Sequence, residues 1–229
     1  MNEKPYILCI ETTTEICSVA LANSSECIAI KECNTNNSHA KNMIPFVEDV
    51  LKQGQIDKTQ LHAIAISIGP GSYTGLRIGV STAKGLAYTL GIPVIAVSTL
   101  ESIAEPYIGK AVHCRPMLDA RRMEVFTALF DENGHEIEAP NAKIVEENTF
   151  DNELNQYTTV FCGNGAPKCK EILSKYPNTT IIYEPISAKN MISIANRKFL
   201  KKEFEDVAYF EPFYLKDYVA AKPNVKGLH

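Results

Sequence analysis

Two acidic residues end apolar runs and open polar turns, Glu11 in "YILCIETTTEICSV" and Asp119 in "RPMLDARRMEVF". Acids at strand ends that face a cleft position a metal ion, and small hydroxyl or glycine turns beside them cradle phosphates. Thr12, Thr13 and Thr14 follow the first acid, whereas Ala120, Arg121 and Arg122 follow the second. A third stretch, "IGPGSYTGLRIG" at 68–79, brings together Gly69, Pro70, Gly71, Ser72, Thr74, Gly75 and Arg77 between an apolar run and a helical pattern. A fourth, "CGNGA", holds Gly163 and Gly165. Strand-to-helix glycine loops often hold phosphate. Here the spacing is wrong for it, because GxGxxG needs glycine where Thr74 stands and the GxxxxGK[ST] pattern is missing.

Metal chemistry finds less support. The histidines are His39, His62, His113, His135 and His229, with no pair at i, i+3 or i+4 and no HExxH, so a metalloprotease reading lacks its ligand pair and general base. His39 opens a helical pattern and is read as a helix-end or interface residue; Glu48 and Asp49 are read as solvated surface. No metal site is expected. Seven cysteines, an odd number without CxxC, sit partly in apolar strand-like runs. They are read as buried thiols of a reducing cytoplasm, ahead of disulfides or zinc.

The elements that must position these residues follow from periodicity. "YILCIE", "ICSVALA" and "CIAIKEC" read as strands separated by polar turns. From Ser38 the pattern becomes helical, with Met43, Ile44, Phe46, Val47, Val50 and Leu51 on one stripe; Pro45 inside it predicts a kink or a late start. "AIAIS" is a short buried strand, and the glycine loop leads into a second helix ending near Gly91. Ser72 or Thr74 is expected to cap that helix, with Pro70 fixing the turn. A last helix is expected at about 187–204.

The chain also repeats itself. "PMLDARRMEVFTALFDENG" overlays "LCIETTTEICSVALANSSE" at a constant offset of 108, so that Glu11 falls on Asp119 and Thr13 on Arg121. "TTVFCGNGAPKCKEIL" then repeats the strand, glycine turn and helix of "AIAISIGPGSYTG". Two matched features in one order favour duplication, giving two α/β lobes joined near 98–106 with a cleft between them. The 229 residues, 45% hydrophobic and 22% charged, suffice for such a fold, and the formal charge of −4 argues against nucleic-acid binding by bulk electrostatics. The basic stretch "NRKFLKK" is read as a solvated helix face. The apolar run at the start is too short for a signal-peptide core or a membrane span.

The stretches "ILCIETTTEICSVALA", "SHAKNMIPFVEDVL", "IAISIGPGSYTGLRIGVSTAKGLAYTLGIPVIAVSTLE", "LDARRMEVFTALF" and "CGNGA" resemble the TsaB (YeaZ) family of the actin, sugar-kinase and Hsp70-like (ASKHA) superfamily. The resemblance implies two duplicated RNase H-like lobes with mixed five-stranded sheets and helices: residues 1–103 as an N-terminal, partner-docking lobe and 104–229 as the C-terminal one. It implies a cytoplasmic, non-catalytic accessory subunit that binds TsaD and supports threonylcarbamoyl transfer to adenosine 37 of tRNA. TsaE joins a larger complex, tRNA is reached through that complex, and the isolated chain forms a homodimer. Active superfamily members follow the second acid with glycine and a small residue; here Arg121 and Arg122 stand in that turn and Glu11 replaces the usual Asp. Glu11, Thr12, Thr13, Asp119, Arg121, Arg122, Gly163 and Gly165 are accordingly expected to line a degenerate nucleotide cleft. No cofactor of its own is expected, and ATP or ADP only in the partner complex.

One further expectation concerns docking. Gly75, Gly79, Ala83 and Ala87 recur every four residues and let another backbone come close, with Ile78, Thr82 and Leu86 beside them. Together with His39, Met43, Phe46, Val47 and Val50 of the preceding helix, the residues Gly75, Gly79, Thr82, Ala83 and Leu86 are expected to form the partner interface. The rival readings are a small ASKHA-type ATPase or phosphotransferase and an M22-like glycoprotease.

Overall fold

The computed structural model describes residues 4–34 and 39–216. Two five-stranded sheets carry the fold. The first contains β1 (Tyr6–Glu11), β2 (Ile16–Asn23), β3 (Glu26–Asn34), β4 (Ala63–Ser67) and β5 (Val94–Val97), in the order β3-β2-β1-β4-β5. The second contains β6 (His113–Asp119), β7 (Glu124–Phe130), β8 (Glu136–Ile144), β9 (Thr159–Cys162) and β10 (Thr179–Ile182), in the order β8-β7-β6-β9-β10. In each sheet the first three strands form an antiparallel meander and the last two lie parallel to the first. The internal repeat is therefore a repeat of topology, and Glu11 and Asp119 end equivalent strands.

The near-continuous apolar strands are explained by cover on both faces. Leu8, Ile10, Ile64 and Ile66 face α1 (His39–Gln53) and α2 (Tyr73–Leu90), while Ile7, Cys9, Ala63 and Ala65 face α6 (Ile192–Lys201). Small residues on the second face allow α6 to lie close. In the second sheet, α3 (Thr99–Ala104) covers one face through Leu100 and Ile103. The single-turn helices α4 (Asp151–Leu154) and α5 (Lys170–Leu173) cover the other, around Phe150 and Phe161.

Several expectations need correction here. The helix of α1 begins at His39, so Pro45 does not delay its start; Pro45 lies six residues in, where it cannot give the N–H bond to Lys41. Ser38 lies outside the described residues, as do His229 and most of the tail. The last helix is shorter than 187–204: a 3-10 turn over Ala188–Met191 leads into α6, and Lys202 ends it in the left-handed conformation with φ 57°. A boundary at residue 103 also divides the chain wrongly. It cuts α3, which packs on the second sheet, and assigns to the second lobe α6, whose apolar face is buried on the first. The two lobes exchange covering helices.

Beyond α6 the chain runs back along the first lobe. Glu205 N donates to Val94 O at the free edge of β5 (2.9 Å), Lys84 Nζ donates to Phe210 O (2.9 Å), and Phe213 N donates to Ile68 O (2.8 Å). This strap covers an otherwise open sheet edge and reaches the second lobe through an ion pair between Lys216 and Glu124.

Candidate functional site

The β1–β2 turn is closed from within. Glu11 is fully buried; its Oε1 accepts from Thr13 N (2.6 Å) and Thr13 Oγ1 (2.5 Å), and its Oε2 accepts from Ser67 Oγ at the end of β4. Burial pushes the carboxyl above the usual carboxylate range, and the hydrogen bonds from Ser67 and Thr13 pull the other way without prevailing. Thr12 and Thr13, also buried, are bound to the glycine loop: Thr12 Oγ1 donates to Gly75 O (2.8 Å) and Ser72 N donates to Thr13 O (2.7 Å).

This contact explains the glycines at 71, 75 and 79. A Cβ on Gly71 would stand 2.6 Å from Thr13 O, a Cβ on Gly75 would overlap the Thr12 carbonyl, and one on Gly79 would overlap Thr12 Oγ1. The backbone that comes close to the small-residue stripe is the chain's own β1–β2 turn. Ala83 and Ala87 continue the same stripe into the core of the first lobe, where Met43, Phe46, Val47 and Val50 of α1 are also buried. The expected docking face is corrected at these positions: their apolar or small side chains are taken up by the intramolecular core. His39 is likewise buried, with Nε2 donating to Ile16 O at 3.2 Å, which ties the start of α1 to β2. Thr82 and Leu86 are half-buried. The residues that α1 and α2 do present to solvent are others, chiefly Ile44, 47% exposed, and Tyr88, 83% exposed. Sequence periodicity places Ile44 on the apolar stripe of α1 together with the core residues; in the fold Met43 takes the buried position and Ile44 is left in solvent.

The glycine loop serves as an entry turn. Ser72 caps α2, its Oγ accepting from Gly75 N at 3.2 Å, while Thr74 is exposed and makes no cap. Pro70 is buried in the turn, and a Cβ on Gly69, at φ 117°, would overlap the Phe213 carbonyl of the strap. Arg77 points outward, its guanidinium 4.2 Å from the Tyr73 ring centroid and its Nε donating to Tyr214 OH at 3.2 Å.

The β6–β7 turn differs in each respect. Asp119 is exposed; its Oδ1 accepts from Arg121 N (2.8 Å) and is ion-paired with Lys168, which also donates to Glu124 O (2.6 Å). Arg121 and Arg122 hold φ of 72° and 48°, left-handed values that glycine or asparagine adopts more readily, and both are exposed. Gly163 and Gly165 fit their own lobe. A Cβ on Gly163 would overlap Met117 O and one on Gly165 would stand 2.9 Å from Leu118 C, so β6 fills the room these glycines leave. Ser67, which donates to Glu11, and Lys168, which ion-pairs with Asp119, were missed by sequence reasoning, since each lies 49 or more residues away in sequence from the acid it meets.

Between the lobes lies a pocket of about 240 Å³ of empty space, part of it open solvent. Thr14 and Glu15 line it from the first lobe, Leu118, Gly163, Asn164 and Glu184 from the second. Neither Glu11 nor Asp119 lines it: each is bound within its own lobe. Among the described residues, no group of three or more His, Cys, Asp or Glu side chains is arranged to hold a metal ion, and no helix is long and apolar enough to cross a membrane.

Comparison with known proteins places this geometry. The family model TsaD, tRNA N6-adenosine threonylcarbamoyltransferase, matches residues 33–223. The tRNA threonylcarbamoyladenosine biosynthesis protein TsaB of Escherichia coli is 34% identical, over 94% of this chain and 96% of its own length. Its Haemophilus influenzae counterpart of the same name is 28% identical, over 94% and 95%. Among solved structures, YeaZ from Pseudomonas aeruginosa superposes with a TM-score of 0.79 at 26% identity, covering 92% of this chain and all of that one. A more distant likeness, to the ADPNP-bound activator of the 2-hydroxyisocaproyl-CoA dehydratase from Clostridium difficile (TM-score 0.50, 9% identity, 88% and 98% covered), extends to the fold alone and supports an ASKHA-like duplicated architecture. The chain belongs to the TsaD-like tRNA N6-adenosine threonylcarbamoyltransferase family and, within it, to the TsaB (YeaZ) proteins of tRNA threonylcarbamoyladenosine biosynthesis.

Proposed function

We propose that this protein is a non-catalytic accessory subunit in the synthesis of threonylcarbamoyladenosine in tRNA, one that binds TsaD and leaves the transfer chemistry to that partner. The observation that carries this reading is the state of the two turns where an ASKHA enzyme would hold nucleotide. One is filled by the start of α2 against Thr12 and Thr13. The other presents Arg121 and Arg122 in place of glycine, beside an acid already neutralised by Lys168. A phosphate chain needs backbone N–H groups at close approach; here the N–H groups of Thr13, Ala120 and Arg121 are already given to Glu11, Glu124 and Asp119. Nucleotide belongs, in this reading, to the assembled complex, which TsaE joins and through which tRNA is reached. The bacterial cytoplasm is the compartment that role requires.

Docking is assigned to the outward side of α1 and α2, around Ile44 and Tyr88, where large apolar surface stands in solvent. In the isolated chain the same surface supports self-association. The test is co-purification with TsaD from the same cell, followed by tRNA modification with and without this chain. Tyr88→Arg and Ile44→Arg should weaken association while the chain still melts as wild type does. Calorimetry on the isolated chain should give no heat with Mg-ATP. Binding that disappears in Glu11→Ala or Asp119→Ala would instead favour the ATPase or phosphotransferase reading, which requires it.

A further inference from the structure

The cysteines fall into local environments that are not equivalent. Cys17 and Cys33 stand directly opposite each other on the antiparallel strands β2 and β3. Opposed residues on such strands lie about 4.5–5.5 Å apart at Cα, within the roughly 4.4–6.8 Å that a disulfide spans. Their side chains leave the sheet on the same face, into the same apolar cluster. The two differ in access. Cys17 is fully buried beneath α1, whereas Cys33 is half-buried near the outer end of an edge strand. Asn42 Nδ2 on α1 donates to Cys33 Sγ at 3.1 Å.

Cys114 and Cys162 form a useful contrast. Their sulfurs are already 3.4 Å apart, but both are buried and neither offers an entry point to a dissolved oxidant. Proximity alone does not make a reactive pair. Access by one member and resolution by the other does.

We infer that Cys17 and Cys33 form a reversible cross-strand disulfide by exchange with a small-molecule disulfide, with Cys33 as the attacking thiol and Cys17 as the resolving one. The Cys33 thiolate attacks one sulfur of the small disulfide, forming a mixed disulfide and releasing one small thiol, which carries away the Cys33 proton. Cys17 then attacks the Cys33 sulfur, the mixed bond breaks, and the second small thiol leaves with the Cys17 proton. Two thiols of the chain are oxidised and one small disulfide is reduced to two thiols. This modification site is independent of the partner assignment above.

The test incubates the native full chain with oxidised glutathione, blocks remaining thiols by alkylation, and maps the peptides by mass spectrometry. The expected product links the peptides of Cys17 and Cys33 with the loss of two hydrogen atoms, and dithiothreitol reverses it. Cys33→Ser, with Cys33→Ala as a second variant should either melt early, abolishes the link; Cys162→Ser leaves it unchanged. Glutathione retained on Cys33 without a link to Cys17, or a link formed first at Cys114–Cys162 or Cys9–Cys27, would overturn the inference.

Discussion

The turns after β1 and β6 occupy the same place in two copies of one sheet topology, yet they have opposite characters. After β1, the acid is buried, accepts three hydrogen bonds within its own lobe, and is sealed by the glycines of α2. After β6, the acid is exposed, paired with a lysine, and followed by two arginines in left-handed conformation. The helices around them diverge equally: α1 and α2 span 15 and 18 residues, their counterparts α4 and α5 only 4 each. The sheet is constrained by register and by burial on both faces, so it survives duplication. A turn is constrained only by what it must contact. The first was recruited into the core and the second was left at the surface.

That contrast predicts a graded set of effects. Gly75→Ala should be the most damaging, because its Cβ would collide with a backbone carbonyl that has no side-chain freedom to yield; overpacking of this kind costs about 3 kcal/mol, read as a lower urea midpoint. Glu11→Ala should follow. It leaves the Thr13 N–H and the Ser67 hydroxyl without their acceptor in a fully buried place, at a cost of about 1–3 kcal/mol. Arg122→Gly should go the other way and stabilise by roughly 0.5–1 kcal/mol, since glycine removes the Cβ strain of a positive φ. Asp119→Ala should change stability by no more than about 0.5 kcal/mol, its carboxylate being exposed to solvent and its ion pair a surface one. If Asp119→Ala proved as costly as Glu11→Ala, the distinction between a core turn and a surface turn would collapse.

The same comparison has a pH signature. Because burial raises the folded-state pKa of Glu11, the folded protein holds its proton to higher pH than the unfolded chain. The stability tied to that proton is complete below the unfolded value and is lost as pH rises through the folded one. Glu11→Gln should therefore flatten the alkaline side of the stability profile. Glu138 has the opposite sign. Burial alone raises it, but hydrogen bonds from Lys143 and Arg115 hold it down to about 2. Its contribution is present above the ordinary glutamate pKa and disappears as pH falls toward 2, so Glu138→Gln should flatten the acid side.

How far the sequence could be read depended on the kind of interaction. Strand alternation in "YILCIE" and "AIAIS", the stripe of α1 and the 108-residue offset are local or periodic, and each reappears in the fold. Ser72 as the cap of α2 was legible for the same reason. What a stripe of small residues packs against is a tertiary question. The glycines of α2 meet Thr12 and Thr13, some sixty residues earlier, and no periodicity in α2 names that partner. The exchange of α3 and α6 between lobes was hidden likewise, because an amphipathic helix records that it covers a sheet, not which of two similar sheets it covers. The surroundings of Glu11, Asp119 and the glycine loop depend on Ser67, Lys168 and the strap, contacts made at long range.

The central claim of the proposed function is that the two turns serve structure, not nucleotide chemistry. Its most direct test is a reconstituted tRNA-modification reaction in which this chain is replaced by the double variant Glu11→Gln/Asp119→Ala, at concentrations that saturate its association with TsaD. Threonylcarbamoyladenosine formed at a rate within about twofold of wild type, a loss of under roughly 0.5 kcal/mol in transition-state stabilisation, is the predicted result. A loss of about a hundredfold or more with the complex still assembled would contradict the account and return these acids to catalysis.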